Sequence, residues 1–314
     1  MRHEGDCCTP RVVPNGDAVL PGERVPVSAK PRRPDLIAVD AGEFLMGSDR
    51  GEGYRADGEG PQRRVKLGAF SIAPYTVTNA EFEAFASETG YVTDAERRGW
   101  SFVFHQLLGE EAKGRVKGVS SEARWWLAVE GACWSRPEGP GSDVAGRMDH
   151  PVTHASWHDA KAYCRWSGTR LPTEAEWECA ARGGLEAKTY PWGDDLLPDG
   201  RHRCNIWQGA FPTQDLGRDG FIGTAPVKTY EPNGYGLYNL VGNVWEWCED
   251  WFSPNYHRVT RSEGPRYVIP SGRRSMRGGS FLCHHSYCNR YRVAARGSNT
   301  PDSTTNHCGF RIAD

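Results

Sequence analysis

Several features are scarce in this chain, and each absence excludes something. No stretch approaches the run of about 18 consecutive apolar residues that a membrane-spanning helix needs, and mean hydropathy is −0.65. A soluble protein with no membrane partner is expected. Charge of one sign is not in excess: 38 Lys and Arg stand against 40 Asp and Glu, interspersed, for a net −2. Without a basic field to hold a phosphate backbone by counterion release, nucleic acid is not an expected partner. Ten cysteines in 314 residues fall below the density of a disulfide scaffold, so most should be buried thiols or chemically employed ones. No apolar h-region follows Arg2, Glu4 and Asp6, so no secretory leader is read and a cytoplasmic address is expected. No repeat with a period of 20–50 residues is visible, which argues against solenoids and propellers.

Glycine and proline, by contrast, are abundant. The 37 glycines and 21 prolines make nearly a fifth of the chain, against about 12% in average proteins, so much of the backbone should run in turns and loops. A helical bundle is unexpected. Residues 1–34 hold Pro10, Pro14, Pro21, Pro26, Pro31 and Pro34 among few large apolar side chains, too little to offset ordering entropy. They read as a disordered tail that includes Cys7 and Cys8, with one folded domain over 35–314. Leu36 to Val39 and Gly42 to Gly47 read as two short strands around a turn.

Three helices carry start and stop signals. Thr78 with Glu81 forms a capping box, with Phe82 and Phe85 on one face and Gly90 as the stop. Ser156 caps a second helix with Asp159 in its first turn, ending at Gly168, and Thr173 with Glu176 opens a third that ends at Gly183. The segment from about 94 to 148, with Trp125, Trp126 and Cys133, reads as a lid or insertion. Residues 184–314 read as irregular loops around short strands. The fold class is therefore α+β, a single irregular domain low in regular secondary structure.

The sharpest chemical feature is Ser280-Phe-Leu-Cys283-His284-His285-Ser-Tyr287-Cys288, preceded by Arg277-Gly278-Gly279. Two cysteines five apart admit four readings. Structural zinc would need a second ligand pair of suitable spacing. A redox disulfide is sterically allowed, although the motif is not Cys-x-x-Cys. Two ordinary buried thiols are the bland reading. A two-thiolate site for Cu(I), which prefers sulfur and tolerates low coordination, would leave room for a third sulfur.

Five stretches in order, Arg170-Leu-Pro-Thr-Glu-Ala-Glu-Trp-Glu178, Asn233-Gly-Tyr-Gly-Leu-Tyr-Asn239, Gly242-Asn-Val-Trp-Glu-Trp247, Arg277-Gly-Gly-Ser-Phe281 and Gly309-Phe-Arg311, together resemble the formylglycine-generating enzyme family. The resemblance runs from about Ile37 to Arg311, and Tyr291-Arg292 and Asn299-Thr-Pro-Asp302 also match. It implies a C-type-lectin-like fold and a copper-dependent oxidase that uses O2. The substrate implied is the cysteine of a Cys-x-Pro-x-Arg motif in an unfolded or nascent sulfatase, which becomes Cα-formylglycine. Cys283 and Cys288 match the family's catalytic, copper-binding pair, and Ser280 an active-site hydroxyl. Tyr287 could act on an oxygen species in the same way.

The resemblance also implies two Ca2+ sites. Asn205, Asp219 and the carbonyls of Ile206 and Phe221 match one. Asn239, Glu246 and the carbonyls of Gly242 and Val244 match the other, hard oxygen donors of the kind calcium requires. Arg296 could hold the backbone of a bound peptide, with a surface salt bridge as the plain alternative. Trp157, Trp166, Trp177, Trp247 and Trp251 read as core, whereas Trp245, beside the second calcium loop, could wall the active site. Cys164, Cys179, Cys204, Cys248 and Cys308 read as buried thiols. Three other functions compete: an iron sulfoxide synthase of the ergothioneine type, a non-catalytic peptide-binding paralogue, and a lectin-like carbohydrate binder.

Overall fold

The computed structural model describes residues 10, 27, 28 and 30–314. The expected tail, with Cys7 and Cys8, thus falls largely outside the described residues. In its described part, the Ser28 N–H donates to the Trp166 carbonyl at 2.7 Å and the Arg32 carbonyl accepts from the Tyr163 hydroxyl at 3.0 Å.

Strands β1 (Ile37–Val39) and β2 (Gly42–Met46) form where the apolar pattern expects them. They do not pair with each other. Gly42, at φ 84°, redirects the chain between them. β2 pairs antiparallel with β3 (Arg63–Leu67), and β1 with β4 (Phe70–Ile72). Next come α1 (Asn79–Thr89), α2 (Asp94–Arg98), β5 (Trp100–Phe104), β6 (Val116–Val119), β7 (Trp126–Glu130), α3 (Trp157–Ser167) and α4 (Glu174–Arg182).

These four helices start and stop by one device. Thr78, Thr93, Ser156 and Thr173 each accept from the N3 backbone, and the N3 carboxylate accepts from the cap N–H in return. Each helix ends on a left-handed glycine, at Gly90, Gly99, Gly168 and Gly183. Three of the four were read from the sequence; the box of Thr93 and Glu96 was passed over. The 94–148 segment is not a detached insertion. It forms α2 and an antiparallel sheet of order β5-β7-β6, stitched to the far end of the chain by Asn306 N–H donating to the Phe102 carbonyl at 3.1 Å. Phe102, Phe104, Trp126 and Cys133 are buried there.

Beyond residue 184 the chain is irregular around short strands, as expected: β8 (Gly209–Ala210), β9 (Gln214–Asp215), β10 (Trp245–Trp251), the short α5 (Tyr256–Val259), β11 (Arg274–Arg277), β12 (Arg296–Asn299) and β13 (Cys308–Gly309). Four of these strands join in the order β12-β11-β10-β13, antiparallel except for β13, which runs parallel to β10 with Trp245 beside Cys308. This sheet carries the site-bearing loop at the end of β11.

Trp166, Trp177, Trp245 and Trp247 are fully buried. Trp157 and Trp251, expected as core, are only half-buried and sandwich the Arg274 guanidinium at 3.8 and 3.6 Å from their ring centroids. Charged pairs run through the interior as well. Arg296 grips Glu174, Arg311 grips Glu246, Arg277 and Arg182 share Glu178, and Arg290 and Arg292 take Asp57 and Glu59. In a domain with so little regular structure these forks satisfy buried carboxylates and tie segments far apart in sequence. Among the described residues no helix is long and apolar enough to cross a membrane.

Candidate active site

β11 ends at Arg277 and the chain turns through Gly278 and Gly279, at φ 92° and 74°. A Cβ on Gly279 would stand 2.8 Å from the Arg290 carbonyl oxygen and 3.1 Å from the Cys283 Sγ, so the close approach of backbone and thiol requires glycine there. Cys283 N–H donates to the Ser280 carbonyl at 2.9 Å and Cys288 N–H to the His284 carbonyl at 2.8 Å. These two turns bring the sulfurs together. Cys283 Sγ and Cys288 Sγ are 2.8 Å apart, both buried and not joined in a disulfide, which would place them at about 2.05 Å. Ser280 N–H faces Cys283 Sγ at 3.4 Å, and the Ser280 hydroxyl accepts from Leu282 N–H at 3.3 Å.

The crevice over the sulfurs is lined by Ser280, Leu282, Tyr287, Trp125, Trp126, Phe211 and His307. Tyr287 stacks on Phe211 with centroids 4.1 Å apart, and Trp125 meets both rings edge-on. Trp126 lies 4.5 Å from the His307 ring, whose Nδ1 shares a 2.6 Å hydrogen bond with the Thr305 hydroxyl. This makes an apolar, aromatic approach to two sulfurs.

The loop is braced from behind by residues 47–61. Tyr54 donates its hydroxyl proton to the Tyr287 carbonyl at 2.7 Å, and Asn289 Nδ2 donates to the Glu52 carbonyl at 3.1 Å. Arg290 and Arg292 reach Asp57 and Glu59, each at 2.6 Å. Burial pushes the Asp57 carboxyl up against the opposing pull of Arg290.

The expected residues divide cleanly. Cys283, Cys288, Ser280 and Tyr287 meet at the crevice. Trp245 does not wall it: the indole is fully buried, and a Cβ on Gly297 of β12 would stand 2.8 Å from it. Arg296 is not at a peptide groove either. Fully buried, it spends its donors on the Glu174 carboxylate at 2.7 and 2.8 Å and on the carbonyls of Asp57, Gly58 and Ser253. All three of its nitrogens are engaged inside the protein. His284 and His285 lie on the outer side of the loop, half-buried and exposed. Cys164, Cys179, Cys204, Cys248 and Cys308 are buried as expected; burial pushes Cys164 and Cys179 up to about 12 and raises Cys204, Cys248 and Cys308 well above the usual thiol range, which leaves them protonated and inert.

Of the first set that the resemblance assigns to calcium, Asp219, Ile206 and Phe221 lie together. The Asp219 carboxylate accepts from the N–H groups of Ile206 and Phe221, at 3.1 and 3.2 Å. The Gln208 amide nitrogen donates to both the Asp219 carboxylate and the Ile206 carbonyl. In the second set, Asn239 Oδ1 is buried with no hydrogen-bond partner, the kind of orphan acceptor a cation satisfies. Glu246 in that set also accepts from Arg311 at 2.6 and 2.8 Å and from the Trp177 indole at 2.7 Å. Asn243 links the two sets to the thiol loop, since its N–H donates to the Asn205 carbonyl at 2.8 Å and its carbonyl accepts from Phe281 N–H at 2.9 Å.

Phe211, His307 and Tyr54 were not singled out from the sequence, and Trp125 and Trp126 were noticed only as part of an insertion. The available signals were weak: His307 immediately precedes the Cys308-Gly-Phe-Arg311 end motif, and Tyr54 interrupts a glycine-rich run.

A family model described as a sulfatase-modifying factor enzyme 1-like domain matches residues 23–314. The chain is 57% identical over 283 residues to a protein of Thermomonospora curvata named formylglycine-generating enzyme, with 88% of this chain and 92% of that protein covered. It is 43% identical over 282 residues to a Bos taurus protein named inactive C-alpha-formylglycine-generating enzyme 2, covering 89% and 87%. Among solved structures, PvdO from Pseudomonas aeruginosa shares the fold with a TM-score of 0.64 at 24% identity, over 89% of this chain and 94% of that one. The match over almost all of the described chain, in relatives bearing these names, shows that the chain belongs to the formylglycine-generating enzyme, or sulfatase-modifying factor, family.

Proposed function

We propose that this protein is a formylglycine-generating oxidase that acts on the cysteine of a Cys-x-Pro-x-Arg segment in an unfolded or nascent sulfatase, with O2 as acceptor. In that conversion the side-chain carbon loses a hydrogen and its sulfur and gains the aldehyde oxygen. The single observation that carries the reading is the meeting of two thiols, Cys283 and Cys288, beneath an aromatic crevice. Two converging soft donors fit Cu(I) and leave space for a third sulfur. Bound copper would supply the one-electron oxygen chemistry that side chains alone lack.

The chain's own groups have definable tasks. Cys283 and Cys288 hold the centre and orient the incoming substrate thiol beside them. The hydroxyls of Ser280 and Tyr287 offer hydrogen bonds to an oxygen species in the crevice, and the rings of Trp125, Phe211 and Tyr287 exclude water around it. Ca2+ at the two oxygen sets would fix the 205–221 and 239–246 loops, which Asn243 couples to the thiol loop.

The inactive paralogue reading is disfavoured by the retained thiol pair. The sulfoxide synthase reading needs a three-histidine iron site, and among the described residues no group of three or more His, Cys, Asp or Glu is placed to hold a metal ion. The deciding experiment incubates copper-loaded protein with a Cys-x-Pro-x-Arg peptide under air and reads the aldehyde by mass spectrometry. Unmodified peptide, with copper shown to be bound, would overturn the proposal.

A further inference from the structure

Three oxidisable rings outside the crevice lining, Tyr291, Tyr190 and Trp192, follow one another beside the cysteine pair. Tyr291, three residues after Cys288, is buried in the same side-chain cluster as Cys283 and Cys288. The Tyr190 ring lies parallel to it, with centroids 6.3 Å apart and planes within 4°. Trp192 also stacks on Tyr190, with centroids 5.3 Å apart and planes within 11°. Exposure rises outward, since Tyr291 and Tyr190 are buried and Trp192 is half-buried. The alignment is set by backbone. Tyr190 and Gly193 exchange hydrogen bonds at 2.9 and 3.2 Å to form a tight turn, and Val293 N–H donates to the Thr189 carbonyl at 2.9 Å, which docks that turn on the Tyr291 strand of chain. The Trp192 indole is held by the Asp195 carbonyl at 2.8 Å.

Near-parallel pairs also occur at Phe82 on Tyr163 and Phe211 on Tyr287, and what sets this array apart is that all three of its rings are oxidisable. Stacks this close to parallel are one accepted geometry among several, and the other ring pairs of the buried core are mostly edge-on or tilted. Tyrosine and tryptophan are also the ring side chains that give up an electron most readily. We infer that Trp192, Tyr190 and Tyr291 form a conduit for single electrons between the protein surface and the Cys283 and Cys288 pair.

A need for such a conduit follows from the proposed reaction, on which the direction of flow rests. Oxidising R–CH2–SH with water to R–CHO, hydrogen sulfide and two protons releases two electrons. Reducing O2 to two water molecules consumes four electrons and four protons. In the sum, one R–CH2–SH, one O2, two electrons and two protons give one R–CHO, one hydrogen sulfide and one water, which leaves two electrons to be supplied by a one-electron donor. When a peptide fills the crevice it covers Tyr287 and Trp125, and the Trp192 face is the aromatic route still open to such a donor.

The test needs neither copper nor substrate, so it stands or falls separately from the oxidase reading. Metal-free, reduced protein is illuminated with tris(bipyridine)ruthenium and a sacrificial quencher, which generates Ru(III), and Cys283–Cys288 disulfide is quantified by mass spectrometry. Two Ru(III) take two electrons and two thiols release two protons to form one S–S bond. Direct contact is blocked because both thiols are buried. The expected result is a severalfold lower disulfide yield in Tyr190→Phe, which keeps the ring stack but not its redox chemistry, restored in Tyr190→Trp and unchanged in Trp157→Phe. A transient tyrosyl absorption should precede the disulfide in wild type and vanish in the double variant Tyr190→Phe, Tyr291→Phe. Equal yields in wild type and Tyr190→Phe, or a loss confined to Tyr287→Phe, would overturn the conduit.

Discussion

The hydroxyl of Tyr54 donates to the carbonyl oxygen of Tyr287 at 2.7 Å, across 233 positions of sequence, and so fixes the residue immediately before Cys288. The Tyr54 ring is itself held under the Arg290 guanidinium at 4.4 Å. Tyr54→Phe keeps that ring contact and deletes one hydrogen bond, a loss of about 1 kcal/mol. Melting temperature should barely move, while Cu(I) affinity and peptide turnover should each fall about 10-fold because the thiol loop is less well held. Copper competition titration and single-peptide kinetics on the same preparation check both halves.

Cys283→Ala and Cys288→Ala should each abolish peptide oxidation and sharply weaken Cu(I) binding, since a two-thiolate site does not survive the loss of one ligand. Cys179→Ala, on the buried stripe of α4, should instead cost about 1 kcal/mol of stability with turnover retained. Ordinary aldehyde yield from either active-site variant would remove copper from the account.

Calcium should behave as a folding ligand. An ion at 100 times its Kd stabilises by about 2.7 kcal/mol, so chelation should lower the melting temperature and added Ca2+ should restore it. Asn239→Ala removes the orphan acceptor and should blunt that response without touching the thiols. A melting curve indifferent to chelator, with metal content shown to have dropped, would eliminate these sites.

His154 gives a pH prediction. Fully buried, it donates from Nε2 to the Pro137 carbonyl at 2.8 Å and shares a 2.7 Å hydrogen bond between Nδ1 and the Ser101 hydroxyl. Burial lowers it from 6.5 to about 4. Between these values the unfolded chain binds a proton the fold refuses, so this residue makes stability fall as pH drops from about 6.5 to about 4. Asp159 and Asp250, raised to about 7 chiefly by burial, act in the opposite sense, because the fold keeps protons there that the unfolded chain has lost. His154→Gln should therefore flatten the His-dependent part: urea unfolding at several pH values should show a slope smaller than wild type by up to one proton across this window. An identical slope would mean that the histidine is already charged in the fold.

Substrate reading should show in the kinetics. An extended segment offers Pro and Arg as its distinctive side chains. Replacing either should raise KM more than it lowers kcat, if those contacts are equal in ground and transition states. Folded sulfatase should be a far poorer substrate than denatured chain. Equal rates on free cysteine and on the motif peptide would show that no neighbour is read.

Much of this was visible in sequence where the determinant is local. The capping boxes at Thr78, Ser156 and Thr173 and the glycines that end those helices depend on residues a turn apart, and they form as expected. The cysteine pair is likewise local. What escaped is what long-range pairing decides. Glu246 and Asp250 of β10 are both fully buried because Arg311 and the N–H groups of Glu174 and Tyr267 arrive from elsewhere. Arg296 misled for the same reason: a guanidinium near a site reads as a ligand until Glu174, 122 positions away, is seen to take it. The crevice walls Trp125, Phe211 and His307 come from three separate segments, and no local pattern announces their meeting.

The grip of Arg311 on Glu246 bears on how the protein is made. Residue 313 also closes against Ile72 and Arg170, so strands made early in synthesis wait for residues about 240 positions later to emerge from the ribosome. Until Arg311 arrives, a nascent chain must either hold the Glu246 carboxylate out in water or bury it unpaired, and the interior tryptophans around it stay exposed for that interval. Ribosome-bound chains stalled before residue 311 should therefore be chaperone clients and readily cut by protease, whereas the released chain closes.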